Sequence, residues 1–131
     1  MNKEDKSLLV KDLCARLPYN VMCQVEFKED GKYNSKVMLL SGIFIDEAYF
    51  TTKGGSIYSN EYKPYLFPMS SMTEEEKEEY CQLQQRVIYN SKGPVNEDVA
   101  KYINWCYKKH LDINNLIPMG LAIDATNLNI Y

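Results

Sequence analysis

"YKPYLFPMSSMTEEEKEEY", Tyr62–Tyr80, passes within one stretch from rings and prolines to a block of glutamate. Pro64 and Pro68 each fix their own φ and push the preceding residue towards extended backbone, so residues 62–72 read as a stiff connector. Thr73 then opens a helix. Thr73 and Glu76 have the spacing of a reciprocal cap, and Glu74, Glu75 and Glu76 fall in the first turn, where the helix dipole favours each by about 0.3–1 kcal/mol before screening. The connector therefore joins a β-rich part, residues 18–60, to a helical part, residues 73–131, within a single domain spanning 1–131.

Upstream, "KSLLVKDLCARLPY" sets Leu8, Leu9, Leu13, Cys14 and Leu17 near one side of a 3.6-residue period, with Pro18 just beyond. It predicts a short N-terminal helix ending near Arg16. "NVMCQVEF" alternates, with Val21, Cys23, Val25 and Phe27 on one face, and Asp30-Gly31 supplies the positive φ of a tight hairpin. On the return, Val37, Leu39, Ile43 and Ile45 keep no single phase, which a bulge or bend at Gly42 reconciles. "AYFTT" and "SIYS" flank Lys53-Gly54-Gly55 as a second hairpin. The expectation is an α+β fold whose curled antiparallel sheet has about four strands, with a small open barrel as the alternative.

Downstream, the helix from Thr73 continues through "KEEYCQLQQRVIYN" and breaks at Ser91–Pro94. A second helix follows, capped by Asn96, with Val99, Tyr102, Ile103, Cys106 and Tyr107 on one stripe. The tail is too apolar to stay undocked: Leu116, Ile117, Leu121 and Ile123 are expected to pack back on the body.

At 131 residues, 45% of them hydrophobic, the chain is long enough for one core. Its net charge of −3 is uneven: residues 73–80 hold five acidic groups and one basic, while the rest is nearly balanced. No stripe of Lys and Arg offers the counterion-releasing surface that nucleic acid requires, which argues against that partner. The first residues lack the apolar run of a secretory signal and no segment reaches bilayer-spanning length, so the expected location is cytoplasmic, without membrane contact. Cys14, Cys23, Cys81 and Cys106 form no Cys-x-x-Cys pair and sit among apolar neighbours, so they read as buried free thiols.

Two stretches, "YKPYLFPMSSMTEEEKEEY" and "WCYKKHLDINNLIPMGLAIDAT", resemble a family of small uncharacterised proteins from gut bacteria, their phages and mobile elements. The resemblance implies a shared fold and a mobile-element setting, and it brings no established activity. The family's Trp-Leu-Asn run and paired histidines are replaced here by Trp105-Cys106-Tyr107 and the lone His110, so no histidine-based or metal-dependent activity carries over.

Candidate chemistry is sparse. Cys106 and His110, four residues apart, fit one helix face as metal ligands or as thiol and base, but Asp112, Asp124 and Cys81 arrive without diagnostic spacing. The bland alternative is a buried cysteine followed by a helix-end histidine. Asp46-Glu47 and Glu74–Glu79 read as a solvated turn and a helix start, not as an acid–base pair. "KGGS" at 53–56 lacks phosphate-loop spacing. No catalytic set, metal set or cofactor is assigned. The ring-rich connector, Tyr62, Pro64, Tyr65 and Phe67, and Trp105 are the candidate interaction residues, with packing in the core as the competing reading for the connector. The functional expectation is a non-enzymatic accessory protein that binds another protein. A nucleic-acid-binding factor with an aromatic barrel face and a small hydrolase using His110 are the alternatives.

Overall fold

The computed structural model describes residues 2–44, 47–88 and 96–131. Ile45, Asp46 and the helix break expected at Ser91–Pro94 lie outside the described residues, as does the side chain of Asn96.

The chain begins with α1, Lys3–Arg16, started by Asn2, whose Oδ1 accepts from the Asp5 amide at 2.7 Å. β1 (Met22–Glu29) and β2 (Lys32–Ile43) form the first hairpin, β3 (Ala48–Thr52) and β4 (Gly55–Ser59) the second. At the first turn, Asp30 and Gly31 take φ of 51° and 78°, the left-handed pair that a two-residue hairpin loop requires. The expected irregularity in β2 is a register shift between Leu40 and Gly42. It changes which side chains face inward, from Met38 and Leu40 to Ile43.

The connector expected at residues 62–72 begins as a strand and ends in a 3-10 turn, Met69–Ser71, rather than running extended throughout. Tyr62–Leu66 forms β5, antiparallel to β1, and Ile123–Asp124 of the tail forms β6, parallel to β5. The result is an open, mixed six-stranded sheet in the order β4-β3-β2-β1-β5-β6, larger than the expected four antiparallel strands. Proline inside a strand is tolerated here for a definable reason. The Glu26 amide donates to the Glu61 carbonyl at 2.9 Å, and ladder bonds alternate, so Lys63 pairs back to β1 while the nitrogen of Pro64 points away from it. On that far side β6 begins only opposite Tyr65. Pro64 therefore removes a donor that has no partner.

The ladder between β1 and β5 stops early. The next bonded rung would join Met22 to Tyr65, and a phenol occupies it: the Tyr131 hydroxyl accepts from the Met22 amide at 3.1 Å and donates to the Tyr65 carbonyl at 2.7 Å. Beyond this wedge the chain pairs with the tail instead, Phe67 donating to the His110 carbonyl and accepting from the Asp112 amide, both at 2.8 Å.

α1 packs Leu9 and Leu13 onto Val21, Cys23, Val25, Met38, Leu40 and Phe50, and the tail adds Leu116 and Leu121. α2 (Glu74–Ile88) carries the expected reciprocal cap, Glu76 amide to Thr73 Oγ1 at 3.1 Å and Thr73 amide to Glu76 Oε1 at 3.0 Å. No described residue of α2 is buried. It rests on α3 (Asn96–Lys108) through Tyr80, whose hydroxyl meets that of Tyr102 at 2.8 Å. This corrects the expectation for the cysteines. Cys23 and Cys106 are buried free thiols, but Cys14 lies off the Leu9–Leu13–Arg16 face of α1 and Cys81 sits on α2, so both are exposed.

Tyr131→Phe removes the wedge hydroxyl while keeping the ring. It is expected to lower unfolding stability by about 1 kcal/mol in urea, because two backbone groups lose their partner. An unchanged midpoint would show that the rung is dispensable.

Candidate functional site

The residues singled out in the sequence do not form an exposed aromatic edge. Tyr62, Pro64 and Tyr65 are buried as part of β5, and Tyr62 packs against Phe50 with ring centroids 5.2 Å apart. Burial pushes both phenols above their ordinary range. Phe67 is half-buried beside Tyr131. Trp105 is half-buried between the helices, its Nε1 donating to Glu79 Oε2 at 2.9 Å and its ring 6.1 Å from that of Tyr80. Core packing, the competing reading of the connector, is what β5 displays.

The polar centre of the molecule lies where α1, the end of α3 and the tail meet. Arg16 is fully buried. It donates through Nε to Asp12 Oδ1 at 2.5 Å and through Nη2 to Asp12 Oδ2 at 3.1 Å and the Leu111 carbonyl at 2.7 Å. Its guanidinium lies 4.8 Å from the centroid of Tyr107. Asp12 Oδ2 accepts further from Asn114 Nδ2 at 2.7 Å. Nearby, Asp112 accepts from the amides of Leu116 and Ile117 at 2.8 and 2.9 Å, which fixes the turn that leads the tail to the sheet. A charge this deep is tolerable because Nε and Nη2 meet acceptors and the guanidinium lies against the Tyr107 ring, while the buried Nη1 has no hydrogen-bond partner among the described residues.

His110 ends α3. Its φ is +58°, its amide bonds to the Tyr107 carbonyl at 3.0 Å, and the Leu111 amide bonds to the Cys106 carbonyl at 3.0 Å, a left-handed helix cap in which histidine stands where glycine is usual. The imidazole stacks on Tyr131 at 3.7 Å between centroids. Burial first, then the Arg16 charge, lowers its pKa from 6.5 to about 4. Burial also raises that of the Cys106 thiol, against a smaller opposing pull from Arg16. At neutral pH the pair is thus an uncharged ring and a protonated thiol, not a thiolate beside an imidazolium. Among the described residues neither lines the grooves beside β4, β5, Phe67 or the start of α1, and no group of three or more His, Cys, Asp or Glu is placed to hold a metal ion.

The exposed aromatic surface lies elsewhere. On the face of the sheet turned away from α1, Tyr49 stands opposite Tyr58, with ring centroids 4.9 Å apart, and Phe44 adds a third ring 5.7 Å from Tyr58. Phe44 and Tyr58 are 56% and 58% exposed, and Val37, further along β2 on the same face, is 41% exposed. Gly42 stands opposite Tyr49, close enough to the rings that a Cβ there would rest in ordinary contact with the Tyr49 Cβ at 3.7 Å and the Phe44 ring at 3.8 Å. The sequence carried one usable signal for this patch. Alternation about buried Ala48 and Phe50 turns Tyr49 outward, and the second hairpin sets Tyr58 across from it.

No family model, curated protein or solved structure matches the chain. Among the described residues no helix is long and apolar enough to cross a membrane.

Two measurements probe the polar centre. Asp12→Ala strands Arg16 and is expected to cost about 3–5 kcal/mol by chemical denaturation, whereas Asp12→Leu with Arg16→Met recovers most of the loss. A negligible cost for the single variant would contradict the assignment. His110 titrates near 4 when folded and near 6.5 when unfolded, so as pH falls the unfolded chain takes the proton first. The stability contributed by the neutral ring is complete above pH 6.5 and is lost as pH falls towards 4. Over that window the melting temperature should drop further for the parent chain than for His110→Asn, which tolerates the left-handed backbone. Parallel curves would refute the buried neutral state.

Proposed function

We propose that the chain is a non-enzymatic interaction protein, an accessory factor that binds a protein partner through the Phe44–Tyr49–Tyr58 surface. The observation that carries this reading is the exposure of Phe44 and Tyr58 on a sheet face uncovered by any described helix. The face continues from the rings through the hydroxyl pair Ser41–Thr51 at 2.9 Å to Leu39, none of them charged. A neutral aromatic and hydroxyl-bearing surface suits the apolar centre of a protein interface, while the cations that a phosphate backbone calls for, Lys63 and Lys28, stand on other strands of this face, away from the rings. A cytoplasmic location and a phage or mobile-element origin, implied by the sequence and its resemblance, belong to the same proposal.

The test compares the parent chain with Phe44→Ser/Tyr58→Ser, cross-linked in lysate of its native host and read by mass spectrometry. The expected result is one protein recovered in near-stoichiometric yield by the parent and at least ten-fold less by the double variant, whose circular dichroism is unchanged. Equal recovery by both, or recovery of nuclease-sensitive material alone, would overturn the proposal.

A further inference from the structure

The other face of β4 borders a groove that the aromatic surface does not use. β4 converges on β1 at one end, where Ser59 Oγ donates to the Glu26 carbonyl at 2.7 Å. Away from that tie the two strands diverge. β5 pairs with β1 over Cys23–Val25 and bonds on to Glu26, so among the described residues Phe27–Glu29 has β2 on one side only, just as β4 has only β3. Two unpaired strand edges therefore border a wedge of about 330 Å³, floored by Met38 and Ile57 and closed at one side by Phe27.

Three properties of the wedge specify an occupant. β4 reads Gly-Ser-Ile-Tyr-Ser and has none of the lysines or prolines that usually block edge pairing. At Gly54 and Gly55 an added Cβ would meet nothing within 4 Å, so a second backbone has room to approach. The third property is a cation: Lys36 lies on the wedge side of the sheet with Phe27 and Met38, facing Glu29 at the rim, whereas Lys28, paired with Tyr33, alternates to the opposite face. Among the described residues neither lysine is in an ion pair. Lys36 Nζ lies 5.6 Å from the Phe27 ring centroid and Lys28 Nζ 5.9 Å from that of Tyr33.

We propose that this wedge receives an extended acidic segment of the protein partner, pairing along the β4 edge with apolar side chains turned to Met38 and Ile57 and a carboxylate at Lys36. Backbone pairing supplies affinity in this mode and alternate side chains supply selectivity. A second copy of the chain is the poorer occupant, because edge-to-edge pairing would bring two lysine-bordered wedges together. The inference rests on the interaction reading above for the nature of its ligand.

The probe is a capped hexapeptide alternating aspartate and valine, with a lysine–valine peptide as control, titrated into the ¹⁵N-labelled full chain. Amide shifts are expected at Lys36, Gly54, Gly55 and Ser56 with the acidic peptide, at least ten-fold weaker in Lys36→Glu and blocked by Gly54→Trp. Phe44→Ser/Tyr58→Ser should bind the peptide as the parent does. No shift at millimolar peptide, shifts remote from the wedge, or equal response to the lysine peptide would overturn the inference, as would self-association abolished by Lys36→Glu. Failure here with partner capture still dependent on Phe44 and Tyr58 would discard the wedge alone. Loss of that dependence with peptide binding intact would discard the aromatic surface.

Discussion

A single guanidinium with no route to water organises this molecule. Arg16 is on the helix that covers the sheet, and its acceptors come from its own helix and from the segment following α3. To satisfy the charge, α1, the end of α3 and the tail must converge, and Asn114 and Tyr107 are drawn in around it. Such a cluster adds little net stability compared with a hydrocarbon core of the same volume. Its contribution is to penalise arrangements in which any one of the three segments is displaced.

Much of the backbone was legible because its signals are local. The Asp30-Gly31 turn, the irregularity before Gly42 and the Thr73–Glu76 cap each depend on a few adjacent residues, and each is present. Pro64 and Pro68 signalled extended backbone correctly but said nothing of pairing. Whether an extended segment becomes a strand depends on what lies beside it, and the partner of Tyr65 and Leu66 is a two-residue piece of the tail. The buried face of α1 was misread for a related reason. Hydrophobic periodicity nominated Cys14 and passed over Asp12 and Arg16, yet their i, i+4 spacing among Leu9 and Leu13 was a visible sign of a paired charge.

The candidate surface was less legible than the fold. Ring density pointed to Tyr62, Tyr65 and Phe67, but density does not say which side of a sheet a ring occupies. Tyr62 and Tyr65 of β5 project into covered faces and are buried, and exposure passes to Phe44 and Tyr58, which flank half-buried Tyr49 on an uncovered face. Phe44 could not be placed on that face before the irregularity in β2 was located to the residue, since one position of slip exchanges the two sides.

The phenol lodged between Met22 and Tyr65 also bears on how the chain folds. That rung spans 109 residues, so it forms only after nearly all of the sequence has been brought together. The entropy of closing so long a loop grows only with the logarithm of its length, whereas the search for so distant a partner slows folding markedly. The hairpins, whose contacts are local, can form without Tyr131, whereas the rung at this corner of the sheet cannot.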